Sequence, residues 1–437
     1  MASPHHIVIV GGGAGGLELA TRLGDRLGRR GHAAVTLVDR SPTHLWKPLL
    51  HEVAAGSLDR HANELDYLAQ ARWHHFTFAQ GALEGLDRWK RELAVAPVLD
   101  EDGAEVIPRR TIRYDTLVIA IGSVSNSFNI PGVAEHALLL DSPDQADRLH
   151  RRVVNACLQA NYRAGDQKDG RLDMVIVGGG ATGVELAAEL RNTTRVLAGY
   201  GLEHIDPDRY VRLTLVNADP RILAVLPERI SEATTDVLKS LGVDVRNAAQ
   251  VTEVTADAVR TKGGDSFRAD ITVWAAGIKC AEVLKNLADL ETNRLNQLVV
   301  KPTLQTTRDP DVFAFGDCAS CPWPGHPAPV PPRAQAAHQQ ASHLVRMMER
   351  RLRGEALLPF RYRDFGSLVS LGEYSTVGTL MGFVSGKSLR VEGWFARLMY
   401  ISLYKLHLLA LHGFVGVALD TLARALKRST EPQVKLH

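Results

Sequence analysis

The sequence predicts an α/β protein made of two Rossmann-like dinucleotide-binding domains plus a C-terminal amphipathic helical membrane-binding region. Three observations predict it. Two glycine fingerprints each follow a β-branched run and open a helical one, and their first glycines stand 167 residues apart. Each half then repeats one plan, with a second apolar strand and a closing strand that ends in small residues. The last 53 residues are leucine-rich and carry eight Lys/Arg against three acids.

The elements follow in order. His6–Val10 reads as a buried strand, and Gly11, Gly13 and Gly16 follow it. That spacing gives a tight turn, a close backbone approach and a helix start, so a pyrophosphate rests on the helix N-terminus. Val35–Val38 is the next apolar run and ends in Asp39, 23 residues after Gly16, where a carboxylate accepts from a ribose diol. Tyr114–Ile121 closes the unit on Gly122 and Ser123, and Ile130-Pro131-Gly132 marks a loop. Residues 145–165 read as a connecting helix. Met174–Val177 leads into Gly178, Gly180 and Gly183, with helical periodicity over 184–197. Arg212–Val216 is the second strand here, ending in Asn217, and Ile271–Gly277 closes the unit. Asp311–Phe315 is a further strand, stopped by Gly316 and Asp317. A proline-rich loop over 322–332 and a helix from near Arg333 come next. The expected domains are 1–145 with 295–370, then 146–294, then 371–437.

At 437 residues the chain is too long for one core. A net charge of +2 gives no reason to expect a nucleic-acid partner. The charge is uneven, however: residues 385–437 hold +5 and the other 384 residues −3. A basic tail on an acidic body points to an anionic lipid surface. On a helical wheel Asp420, Thr421, Arg424, Lys427 and Arg428 share one side, and Val415, Ala418, Leu419, Leu422 and Leu426 the other. Segment 394–412 is aromatic and leucine-rich, with Arg397, Lys405 and His412 on one side. Both read as helices lying on a bilayer, against the plainer alternative of helices packed on the protein body or a dimer partner. No uncharged run reaches the 18 or so apolar residues that a spanning helix needs. No secretory leader precedes the first strand, so folding is expected in the cytosol. Four cysteines make no disulfide framework. Cys318 and Cys321 have a redox or metal spacing without a second pair, and no metal is assigned.

These pieces together resemble the type II NADH:quinone oxidoreductases. The carriers are GGGAGG at 11–16, LWKPLLHEVAAGSLD at 45–59, GGGATGVELAAEL at 178–190, VWAAGIK at 273–279, FGDCASC at 315–321, AQAAHQ at 334–339 and YISLYKLHLLALHG at 400–413. The likeness covers nearly the whole chain, and seven matches in order are specific where one is not. The resemblance implies a non-proton-pumping, FAD-dependent NADH dehydrogenase that reduces a membrane quinone, ubiquinone or menaquinone. It also implies peripheral attachment at the cytoplasmic face of the inner membrane, and a homodimer.

The resemblance places FAD on Gly11, Gly13, Gly16, Asp39, Lys47, Gly122 and Asp317. Lys47 would stabilise negative charge on a reduced flavin ring, and Asp317 would accept near the ribityl chain. NADH falls on Gly178, Gly180, Gly183, Asn217 and Gly277. Glu185 stands in the first helical turn, where a carboxylate suits the dipole anyway; the resemblance places it where nicotinamide meets flavin, coupling hydride and proton movement. Gln335 and Gln339, four apart on one helix face, are assigned to the quinone. Asn217 departs from the family, which usually places an acid there. It lacks the charge that repels a 2′-phosphate, and Arg221 is close in sequence, so weakened discrimination against NADPH is expected.

Three other functions compete. A disulfide reductase needs a dithiol soon after the first acidic strand end, and residues 40–75 contain no cysteine. A sulfide:quinone reductase would use Cys157, Cys318 or Cys321, but has no need of the second fingerprint. A nucleotide-sensing scaffold would not pass electrons at all.

Overall fold

The computed structural model describes residues 4–165, 171–201, 206–370, 376–381, 388–392, 394–427 and 434. Its first unit opens with β1 (His5–Val10), α1 (Ala14–Leu23) and β2 (Ala33–Asp39), followed by the short helix α2 (Leu50–Ala55), β3 (Thr77–Gln80) and β4 (Thr116–Ile119). Ile7, Val8 and Ile9 are fully buried, because a parallel strand with helices on both faces has no solvent side. An antiparallel sheet of Leu83–Asp87, Glu92–Val95 and Arg110–Arg113 is inserted between β3 and β4.

The second unit holds β5 (Ala137–Leu139), α3 (Pro143–Gly165), β6 (Leu172–Val177), α4 (Ala181–Gly199), β7 (Val211–Val216), α5 (Glu228–Ser240), β8 (Val243–Arg246) and β9 (Ile271–Trp274). Its strands run parallel in the order β5-β9-β6-β7-β8. The unit therefore begins before residue 146: Ala137–Leu139 pairs with Ile271–Trp274, so sequence placed in the first domain belongs to the second sheet. The chain then returns as β10 (Val312–Ala314), which completes the first sheet in the order β10-β4-β1-β2-β3. Helix α6 (Ala334–Leu352) covers α1. Two linkers join the units, and Val124–Ser125 pairs antiparallel with Ile278–Lys279. Three antiparallel strands, Gly366–Ser370, Thr376–Met381 and Ser388–Glu392, precede α7 (Trp394–Lys427); the sequence reading had left them out.

The fingerprints are spatially equivalent. Gly11 sits at φ 102° and Gly178 at φ 122°, conformations that a side chain resists. A Cβ on Gly16 would lie 1.8 Å from the Gly11 carbonyl oxygen, and one on Gly183 2.0 Å from that of Gly178. A Cβ on Gly13 would meet nothing within 4 Å. Gly16→Ala must therefore push the helix off the strand and is expected to cost on the order of 3 kcal/mol, whereas Gly13→Ala should cost under about 1. Urea unfolding of the two variants without added nucleotide checks the contrast.

Candidate functional site

The first cradle is built at the C-terminal end of β1, where strand order reverses about the sheet. Asp39 ends β2 and turns back on the glycine loop: its carboxylate accepts from Gly12 N at 2.6 Å and from Ser41 N at 2.8 Å. Burial pushes this carboxyl up, and the two N–H groups pull it partly back. The Gly12 carbonyl accepts from the Tyr67 hydroxyl at 2.7 Å and from His44 Nδ1 at 2.9 Å. The space beside Gly13, over the α1 N-terminus, is open, and a helix N-terminus of this kind suits an anion.

Three residues assigned from the resemblance converge next to it. Lys47 Nζ donates to the Ser123 carbonyl at 2.7 Å and lies 3.7 Å from Asp141. The Ser123 hydroxyl donates to Asp317 Oδ2 at 2.8 Å. Gly122, at φ 72°, makes the turn that brings Ser123 there. The Lys47 turn, the β4 end and the β10 end thus meet at one point, although 270 residues separate Lys47 from Asp317.

In the second cradle Glu185 lies on α4, one turn in, and is 7% exposed. Asn217 stands against Gly179, 2.5 Å from where a Cβ there would lie, whereas Asp39 accepts from Gly12 N. The Asn217 amide nitrogen donates to the Asp219 carbonyl and to Asn247 Oδ1, both at 3.1 Å. Arg221, the cation expected to meet a 2′-phosphate, donates instead to the carbonyls of Leu223, Ala224 and Leu226 and so shapes its own loop. Gly277, at φ 63°, lies under the Phe128 ring, and its carbonyl accepts from Asn126 N at 3.3 Å.

Helix α6 brings a surprise. Gln339 donates to the Arg363 carbonyl and accepts from Arg363 N. Gln335 donates to Asp364 and accepts from Phe365 N. Both amides thus hold the extended segment 363–365 that leads into the strand Gly366–Ser370. The residue that reaches the Gly316–Asp317 turn is Gln340, whose Oε1 accepts from Gly316 N at 2.8 Å. Sequence reasoning missed it. The signal was present, because Ala336, Gln340, Leu344 and Met347 form the buried stripe of this helix at i, i+4 and i+3 spacing.

All four cysteines are buried thiols. Burial pushes Cys318 and Cys321 up to about 12, far from the thiolate that redox exchange needs. Among the described residues no group of three or more His, Cys, Asp or Glu is placed to hold a metal ion.

The first half of α7 lies on the protein body. His407 Nε2 is 2.9 Å from His44 Nε2, and Trp46 stacks on His407 at 17° and contacts Tyr404. A carbonyl only accepts, so His44 carries its proton on Nδ1 toward Gly12, and His407 donates to His44 Nε2. The helix breaks at Gly413, φ 69° and ψ 175°. Beyond it Phe414, Val415, Leu419 and Leu422 are exposed. Lys405 reaches Asp420 across the break at 3.3 Å. Of the wheel residues, Arg428 lies outside the described residues. Among those described no helix is long and apolar enough to cross a membrane.

Two phosphate cradles on one chain, with a lysine, a serine and an aspartate gathered beside the first, define a two-dinucleotide oxidoreductase. The family model for pyridine nucleotide-disulphide oxidoreductase matches residues 5–341. The chain is 44% identical to the type II NADH:quinone oxidoreductase of Haemophilus influenzae, over 99% of this chain and 100% of that one. It is 28% identical to that of Staphylococcus aureus, over 86% and 90%. NDH2 from Plasmodium falciparum in complex with NADH superposes with a TM-score of 0.80 at 17% identity, covering 99% of this chain and 100% of that one. The sulfide:quinone oxidoreductase of Aquifex aeolicus, also at 17%, gives 0.71 and covers 98% and 96%. The chain belongs to the pyridine nucleotide-disulphide oxidoreductases, and within them to the type II NADH:quinone oxidoreductase family.

Burial pulls the imidazoles of His44 and His51 down to about 4, and it also lowers that of His407. All three stay neutral in the folded chain while the unfolded chain protonates them below about 6.5. The unfolded state then binds more protons, so stability falls as pH falls from about 6.5 toward 4. Between about pH 6.5 and 5 the loss should be on the order of 2 kcal/mol for each of His44 and His51. Thermal unfolding across that range should show it, and His44→Gln should flatten the dependence.

Proposed function

We propose that this chain is a non-proton-pumping respiratory enzyme that takes hydride from NADH and delivers two electrons to a membrane quinone. The observation that carries the reading is the full-length 44% identity to a type II NADH:quinone oxidoreductase, on a fold holding two dinucleotide cradles. Bound FAD supplies the two-electron carrier between nicotinamide and quinone. Gly11, Gly13 and Gly16 would hold its pyrophosphate and Asp39 its ribose. Lys47 brings a positive charge to the side of the site where electrons arrive, and Asp317 and Ser123 fix that side in place. Gly178, Gly180 and Gly183 would seat NADH, with Gly277 and Asn217 beside it. Glu185, buried one turn into α4, would stand at the nicotinamide and exchange a proton there.

Asn217 removes a charge that would reject NADPH, and Arg221 supplies none to attract it. NADH is therefore preferred by less than a thousandfold, which is about 4 kcal/mol. On the quinone side, α6 packs its small residues close to the flavin turn while Gln335 and Gln339 brace residues 363–365 as one wall. The apolar face of Phe414, Val415, Leu419 and Leu422 would rest in the acyl boundary of the cytoplasmic leaflet, drawn there by the basic tail. Two copies would associate through the same family logic.

Anaerobic stopped flow tests the central reading. NADH should bleach the bound flavin, a short-chain quinone should restore it, and NADPH should bleach it more slowly by less than a thousandfold. A purified chain that binds no FAD would overturn it. The lipid reading has its own check. Leu419→Glu should release the holoenzyme from vesicles with anionic lipid, with bleaching by NADH retained, and undiminished sedimentation with the vesicles would count against it.

A further inference from the structure

Helix α2 carries a histidine that the reading above leaves unused. His51 is 2% exposed, and its ring lies between two carboxylates. Nδ1 is 3.6 Å from Glu185 Oε2 on α4, and Nε2 is 3.9 Å from Glu52 Oε1 on its own helix. The side-chain exposures run from 9% at Glu185 through 2% at His51 to 23% at Glu52, so the row leads from the buried site to solvent. Nε2 is buried without a hydrogen-bond partner among the described residues. A buried polar atom left so costs on the order of 1–3 kcal/mol, a cost that purely structural positions rarely keep.

The overall reaction defines what the row has to carry. NADH, one proton and a quinone give NAD⁺ and a quinol. The hydride brings two electrons and one hydrogen nucleus, so the second must come from water through the protein. We propose that His51 relays this proton from Glu52 to Glu185. This rests on the NADH:quinone reading and on Glu185 standing at the nicotinamide.

Glu52 takes the proton from solvent. Its O–H bond breaks as an N–H bond forms at His51 Nε2. The N–H at Nδ1, which rests on the Pro48 carbonyl, turns to Glu185 and breaks as an O–H bond forms there. The ring is neutral before and after, with its proton moved from Nδ1 to Nε2, and a water that gives a proton to Nδ1 as another leaves Nε2 resets it. No electrons move in these steps. Both gaps exceed a hydrogen bond, so a small side-chain rotation or one water closes each. Burial holds the ring near 4, so it accepts a proton only as it gives one up. The carboxylates within 4 Å of its ring nitrogens are Glu52 on α2 and Glu185 on α4; Lys47 precedes it by four residues, Glu189 follows Glu185 by four, and His150 on α3 lies against Gly56.

The test uses the full-length holoenzyme with His51→Gln, His51→Ala and Glu52→Gln. Flavin bleaching by NADH should stay within about twofold of the parent, because the hydride itself does not use the relay. Steady-state turnover with quinone should fall at least tenfold in His51→Gln, within the range of lost proton-transfer catalysis, with a larger solvent isotope effect and a changed pH profile. Imidazole added to His51→Ala should restore turnover. Glu52→Gln should show the same isotope effect with a smaller loss. A readout without turnover is hydrogen–deuterium exchange at the Glu185 carboxyl, followed by its C=O stretch in infrared difference spectra against Glu185→Gln. It should slow in His51→Gln. Turnover, isotope effect and pH profile like the parent's would overturn the relay, and so would a loss that imidazole does not rescue and that leaves carboxyl exchange unchanged. A parent enzyme that fails to reduce quinone with NADH would instead overturn the functional reading, and the relay with it.

Discussion

The site depends on one packing contact, the burial of α2 against the helices of the other unit. Leu50, Val53, Ala54 and Ala55 come from the first unit's chain yet belong to the core built by α3 and α4. Two hydrogen bonds fasten them: Thr193 Oγ1 donates to the Ala55 carbonyl at 2.7 Å, and Ser57 Oγ to Glu189 Oε2 at 3.1 Å. Without this wedge the units would be joined only by two linkers, which leaves domains free to move. With it, Lys47 at the start of the segment stands over the first cradle, and His51 stands beside Glu185 at the second. One short helix thus fixes the two glycine loops against each other, and the proposed hydride transfer would rest on such registration, since small displacements of reacting groups cost large factors in rate.

The two cradles use the same backbone for different ends. In each, a glycine loop at positive φ ends the first strand and opens a helix. In the first, a buried carboxylate closes on the loop and must be held by two N–H groups, because burial opposes its charge. In the second, neutral Asn217 stands against Gly179, and its amide nitrogen donates to the Asp219 carbonyl and Asn247 Oδ1. A resident cofactor and a substrate that must leave ask for different things. In the first cradle the Gly12 carbonyl accepts from Tyr67 and His44 side chains, whereas in the second the Gly179 carbonyl accepts from the backbone N–H of Leu223 in the Arg221 turn.

Much of this was legible in the sequence, for a physical reason. The glycine loops, the apolar strands and Asp39 are local features, and local sterics alone decide them. Gly122 and Asp317 read from the residues as strand-ending turns, but that they meet Lys47 is a product of topology: β10 returns beside β4 after the whole second unit. Gln335 and Gln339 were paired correctly as one helix face, but which face the helix buries depends on what lies across from it. Gln340 shares the buried stripe with alanine, leucine and methionine, and a polar residue there announces a fixed partner. The early start of the second unit, at Ala137–Leu139, was hidden because three residues carry too little pattern to read as a strand.

The C-terminal helix packs on the body along its first part and stands clear of it along its second. A helix lying on lipid and a helix packed on the body show the same apolar stripe, so sequence cannot separate them. The break at Gly413 separates them in space. Before it, Leu408 and Leu411 are buried and His407 closes a line of hydrogen bonds through His44 to the Gly12 carbonyl of the glycine loop. After it, the apolar residues face outward and have nothing to cover them among the described residues. A straight helix could not do both, since its stripe would continue along the body. Glycine at 413 takes the left-handed turn at little cost, and the Lys405–Asp420 pair spans the bend. The outward-facing segment is thereby tied, through two neutral imidazoles of fixed tautomer, to the loop that cradles the first dinucleotide.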